Sequence, residues 1–154
     1  MHSINFRFIS RILGMMCFVE GLMMLLVVLT ALIYGEGLLP WAVTIGAFFA
    51  LGSVLLHFGR RLKKKFASRR EGMLAVTLVW LLLSLVGMLP FLLTGSLERP
   101  IDAFFETISG FTTTGATVFN EVESLPHSIL LWRSLTQWQG GLGIVVFTVA
   151  LVPI

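Results

Sequence analysis

A chain of 154 residues with 56% apolar residues, 12% charged residues and a mean hydropathy of +0.94 is too apolar for a soluble domain of its size and reads as an integral membrane protein. Its formal charge of +3 matters less than its placement, because nine of the eleven Lys and Arg residues fall in two clusters. The single cysteine, Cys17, lies in an apolar stretch; this excludes an intrachain disulfide and fits a packing role.

Arg7 and Arg11 precede a first apolar span over residues 12–34, which is too long for the core of a signal peptide and lacks a small-x-small cleavage site. Glu20 within it is costly in lipid, so it is expected to face a neighbouring helix or reach the cytoplasmic interface, with a counter-charge on an ion pathway as the sharper alternative. Residues 34–40, with Gly35, Glu36 and Gly37, form a turn in which Glu36→Gln is expected to be neutral. A second span follows from Pro40 or Trp41 to near Phe58, and Ala42 and Gly46, four apart, predict a close helix contact. His57 is read as an interfacial residue.

Arg60, Arg61, Lys63, Lys64, Lys65, Arg69 and Arg70 form the second cluster, and a short loop so basic is expected to stay cytoplasmic. With two spans before it, the N-terminus shares that side. The alternative to a solvated loop is contact with anionic lipid head groups or a cytosolic partner. Nucleic-acid binding is excluded, since no aromatic residues interleave with these charges.

The third span, residues 72–93, carries the chain outward and has Pro90 near its outer end, where a kink is tolerated. Residues 94–127 then lie outside and hold Glu98, Asp102, Glu106, Glu121 and Glu123 against one base, Arg99. Such a surface would concentrate cations as a vestibule; an ordinary acidic loop is the plainer reading. Within it, Pro100 suits the first turn of a helix and Asp102 its positive end. The ten residues 100–109 span only about 15 Å, half a bilayer core, which describes a re-entrant helix whose negative end points at a cation, with Gly110 as its stop.

The stretch SGFTTTGATVF, residues 109–119, has neither helical nor strand periodicity although apolar spans flank it. Irregular backbone at membrane depth is tolerated where protein covers it or where it lines a wet cavity, and an ion filter is such a place. A near-extended Thr and Gly backbone supplies carbonyls, threonines add hydroxyls, and Gly115 permits positive φ, so that neutral dipoles replace the water around a monovalent cation. The candidate ion-binding residues are Thr112, Thr113, Thr114, Gly115, Ala116 and Thr117, suited to potassium or sodium over a divalent ion. A fourth span starts at Pro126 or Ser128 and returns inward, with Gln137, Gln139, Gly140, Gly141 and Gly143 in its outer part. Arg133 there is expensive unless paired; Glu106 is the expected partner, and exchanging the two charges is expected to restore function. The ending VALVPI has no basic flank, so the chain is expected to be a fragment.

The string DAFFETISGFTTTGAT followed by WRSLTQWQGGLGI resembles the pore helix, filter and second membrane helix of the Trk/Ktr-type potassium uptake proteins, most closely the Trk-type ion-translocating membrane subunit. Specific motifs carry the resemblance from about Met73 onward; before Arg70 it rests on helix count. The resemblance implies an all-α integral membrane fold: a two-helix hairpin (1–59), a basic loop (60–71) and the first of four membrane-pore-membrane repeats (72–154). It implies residues 113–117 as one filter strand with Gly115 its glycine, potassium held at Thr113, Thr114 and Gly115, and K+ as the transported ion without a resident cofactor. It further implies a bacterial inner-membrane location with the filter facing outside, the remaining repeats as neighbours in the bilayer, a homodimer, and a cytosolic nucleotide-binding regulatory subunit. Phosphate-loop, nucleophile-elbow and metal-ligand spacings are absent and the histidines are dispersed, so no enzymatic role is expected. The alternative is a non-transporting membrane assembly or regulatory protein in which residues 109–119 are merely an external turn.

Overall fold

The computed structural model describes residues 5–60 and 69–151, and among them the only regular elements are six helices. Arg61, Lys63, Lys64 and Lys65 of the basic cluster lie outside the described residues; Arg60 and Arg70 at its edges are exposed, and Arg69 is the first residue of a helix.

Helix α1 spans Phe6–Ile33 and α2 Leu39–Gly59. The first span therefore starts before residue 12, with Arg7 and Arg11 inside the helix, because the Asn5 side chain caps the Phe8 N–H at 3.3 Å. The two helices form an antiparallel hairpin held by glycines. A Cβ on Gly14 would lie 2.8 Å from Leu56 Cγ and 3.0 Å from the Gly52 carbonyl, and one on Gly52 would lie 2.8 Å from the Phe18 ring. Gly21 and Gly59 meet Phe49 and Arg11 equally closely. Small residues let the backbones approach until dispersion contacts and not the hydrophobic effect hold them, as a membrane requires. Among the described residues Ala42 and Gly46 do not serve this purpose: both are exposed and none of these residues stands within 4 Å of a Cβ on Gly46. Helical phase decides it, since Trp41, Thr44, Phe48 and Gly52 form the buried face.

The third span is divided into α3 (Arg69–Gly87) and α4 (Leu89–Leu93). Pro90 has no N–H to continue the ladder, and the indole Nε1 of Trp132 donates to the Gly87 carbonyl at 3.0 Å beside the break. The re-entrant helix α5 is Pro100–Phe111, twelve residues or about 18 Å. Helix α6 runs from His127 to Leu151. Helices α1, α2 and the combined stretch Arg70–Leu93 are long and apolar enough to cross a membrane by length and composition. Arg133, Gln137 and Gln139 make α6 less apolar.

Helix α1 packs on α3 and α6 as well as on α2, and α5 lies between α3 and α6. Trp41, Phe48, Phe91, Phe111 and Trp132 are the large side chains at the centre. Trp132 lies edge-on to both Trp41 and Phe111, 6.4 and 6.3 Å between centroids, so one residue of α6 joins the hairpin to the pore helix.

Candidate functional site: the pore helix and the filter loop

Helix α5 does not stop at Gly110. It continues to Phe111 and closes with the Thr113 N–H on the Gly110 carbonyl and the Thr114 N–H on the Ser109 carbonyl, both at 2.9 Å. This paired closure normally puts glycine or asparagine at the left-handed position, yet here Thr113 occupies it with φ 56°. A β-branched residue in that region stores strain, of about 1–3 kcal/mol, and such strain concentrates where backbone geometry serves a function. Gly110 has a different role: a Cβ there would overlap the Thr136 hydroxyl, so it is one of the points where α5 touches α6.

The loop is therefore not near-extended throughout. Thr113 and Gly115, at φ 56° and 75°, turn the chain twice within three residues. The amides of Thr112 to Gly115 are directed back at α5, the last by a long 3.4 Å bond to Ser109. Among the described residues the carbonyls of Thr113, Thr114 and Gly115 accept no hydrogen bond, and all three residues are exposed. Ala116 differs: its carbonyl accepts the Ser109 hydroxyl at 2.6 Å and so faces the pore helix. The Thr112 and Thr114 hydroxyls bond one another at 2.8 Å, and Thr112 also bonds the Ile108 carbonyl.

Glu106 anchors the far end of the loop. Its carboxylate, 3% exposed, accepts the Thr117 hydroxyl at 2.9 and 3.1 Å, the Val118 N–H at 3.0 Å and Arg133 Nε at 2.6 Å. The Arg133 guanidinium also lies 5.5 Å from the centre of the Phe119 ring. Glu106 is thus no part of an acidic vestibule, and Asp102 is engaged with Arg99 at 3.7 Å, which leaves Glu98, Glu121 and Glu123 exposed on this surface. On α6, Gly140 meets the Phe111 carbonyl so closely that a Cβ there would overlap it, and Gly143 receives the Trp80 ring.

The family described as TrkH, cation transport protein, matches residues 41–154. The chain belongs to the TrkH family. Among TrkH-family relatives, the Trk system potassium uptake protein TrkH of Salmonella typhimurium is 45% identical over 152 residues, covering 97% of this chain and 31% of the relative. Trk system potassium uptake protein TrkG of Escherichia coli is 33% identical over 156 residues. The crystal structure of the potassium transporter TrkH from Vibrio parahaemolyticus superposes with a TM-score of 0.88 at 39% identity, over 97% of this chain and 32% of that one. The chain spans about a third of the length of these TrkH-family relatives. The likeness extends through the N-terminal hairpin, which motifs alone did not reach.

Sequence reasoning missed Glu36. It accepts the N–H groups of His127 at 2.7 Å and Ser128 at 3.0 Å, and the Ser128 hydroxyl, at the start of α6. His127 Nδ1 lies 3.4 Å away and its ring stacks on Tyr34 at 3.8 Å. Partial desolvation works to raise the Glu36 pKa, but the hydrogen bonds from Ser128 and His127 outweigh it and hold the carboxyl below its usual range. No local motif marks a cap supplied from 91 residues away. Glu36→Gln would therefore remove the charge from this cap.

Proposed function

We propose that this chain carries the first filter strand of a potassium-transporting membrane protein, with K+ held by the main-chain oxygens of Thr113, Thr114 and Gly115. The supporting observation is that these three exposed residues have carbonyls that accept no hydrogen bond from any of the described residues, at the C-terminus of a short helix to which their amides are tied back. The partial negative charge of that terminus favours a cation, and neutral carbonyl dipoles suit a monovalent ion that must shed water. Thr112 and Thr117 shape the strand through their hydroxyls; Ala116 contributes to it with its carbonyl turned inward. The charges of the buried Glu106 and the partly buried Arg133 balance each other, so the strand is held without adding net charge to the pathway.

The pathway is completed by further repeats in the bilayer. Residues 1–59 act as a supporting hairpin, 60–71 as a cytoplasmic basic loop and 72–154 as the first membrane-pore-membrane repeat. The positive-inside pattern puts the N-terminus in the cytoplasm and the filter loop outside, in a bacterial inner membrane. The assembled subunit is a homodimer that docks a cytosolic nucleotide-binding regulator, for which Arg60 to Arg70 offer a basic surface. The role is transport, with no enzymatic step and no nucleic-acid partner.

The test is rescue of a potassium-uptake-deficient host by the complete gene product at low potassium. Gly115→Asp should abolish rescue at unchanged membrane abundance, whereas Gly46→Ala should not. Retained rescue by Gly115→Asp would favour the assembly-protein reading and overturn this one.

A further inference from the structure

We infer that the N-terminal hairpin is a positioning element for the filter, acting through Glu20 on α1 and Gln139 on α6; the inference rests on the filter reading above. The first 59 residues contain two acids, Glu20 and Glu36, and both bond α6. Glu36 holds its external end. Glu20, 3% exposed in the middle of a span, faces the Gln139 amide; with that amide turned so that its nitrogen meets the acid, the orientation that satisfies both groups, it donates to both carboxylate oxygens at 2.8 and 2.9 Å. A carboxyl at membrane depth tolerates little loss of such donors, so the pair holds α1 and α6 at a set distance.

Helix α1 also packs on α6, but packing beside the pair is incomplete, so the hydrogen bonds share in setting that distance. An apolar cavity of about 350 Å³ adjoins the pair, lined by Met16, Val79, Trp80, Leu83 and Leu142, so the side-chain contacts there are incomplete. The next two residues of α6 carry the consequence to the filter. Gly140 rests on the Phe111 carbonyl at the end of the pore helix, and a Cβ on Gly141 would stand 4.0 Å from the Thr113 methyl. A shift of Gln139 therefore moves the surface against which the strained Thr113 turn is seated. Glu20 touches no ion; it is a positioning residue acting through Gln139.

The experiment compares K+ and Na+ uptake by the full-length transporter carrying Glu20→Ala, Glu20→Gln, or the exchange Glu20→Gln with Gln139→Glu, each normalised to membrane abundance. The expected result is a several-fold fall in K+ preference over Na+ for the single substitutions and its recovery in the exchange, which a merely structural contact would not produce. Unchanged ion preference in Glu20→Gln, which preserves side-chain volume and decides the matter if Glu20→Ala fails to insert, overturns the inference. Gly115→Asp run alongside separates the two readings: lost uptake there with unaltered preference in Glu20→Gln rejects the positioning role alone, and retained uptake there rejects the filter and this role with it.

Discussion

Arg133 Nε stands 2.6 Å from Glu106 Oε1, with the two side chains 14% and 3% exposed, and the same carboxylate receives the Val118 N–H and the Thr117 hydroxyl. One buried acid thus balances a charge on α6 and anchors the far end of the loop that follows α5. Glu106→Gln leaves Arg133 uncompensated, which costs about 3–5 kcal/mol when a buried pair is broken from one side. The expected outcome is a sharp drop in thermal stability with loss of uptake. The charge exchange Glu106→Arg with Arg133→Glu restores charge balance but sets donors against the Val118 N–H and Thr117 hydroxyl. Recovered membrane abundance without recovered uptake is therefore expected, in place of the full rescue that the sequence suggested; full rescue would show that charge balance alone matters.

Glu36 ties the α1–α2 turn to the start of α6, and its pKa is depressed in the folded state. A depressed carboxyl contributes stability that is present above its unfolded pKa and is lost as pH falls through the folded value. Amide protection at His127 and Ser128 should accordingly be full at neutral pH and fall only below the ordinary carboxylate range. Glu36→Ala should remove that pH dependence and cost about 1–2 kcal/mol, the scale of a lost helix cap. Hydrogen exchange across an acid titration measures both effects.

Thr113 at φ 56° is strained by its β-branched side chain, and glycine accepts the same backbone without that penalty. Thr113→Gly should raise thermal stability by about 1 kcal/mol while lowering ion preference, since the methyl beside Gly141 is lost. Gly115→Ala is the converse: space around a Cβ is open, so its cost, about 1–2 kcal/mol, comes from the left-handed backbone alone. Denaturation midpoints with selectivity measurements distinguish the two.

Gly140 and Gly46 lie in helices but in opposite circumstances. A Cβ on Gly140 meets the Phe111 carbonyl, a backbone atom that cannot rotate away, whereas Gly46 faces open space. Gly140→Ala should destabilise by about 1–3 kcal/mol, as overpacking does, and reduce uptake. Gly46→Ala should be neutral or stabilise by up to about 1 kcal/mol. Equal effects at both positions would refute the close seating of α6 on the pore helix.

The order of the apolar helices, the short helix from Pro100 and the neutral Thr and Gly loop were legible because each rests on a local signal: apolar length, Pro100, Asp102 or the absence of periodicity; the division of the third span into α3 and α4 makes six helices among the described residues where five were expected. Glu106 and Arg133 were paired by the cost of an isolated charge in an apolar setting. The glycine contact was misplaced onto Ala42 and Gly46 because two helices can meet on several faces, and only packing against α1 selects the one bearing Gly52. The helix stop was misplaced onto Gly110 because glycine serves both close approach and left-handed turns, and spacing alone does not separate these uses.

Sequence alone thus determined that the chain is helical and membrane-embedded and where its irregular loop falls, since hydrocarbon permits few backbone arrangements. Tertiary structure decided that Thr113 takes the left-handed turn, that Ala116 faces inward, and that Glu20 and Glu36 both reach α6. The physical reason is range: solvation acts on each segment by itself, whereas a hydrogen bond across 91 or 119 residues exists only once the helices are seated together.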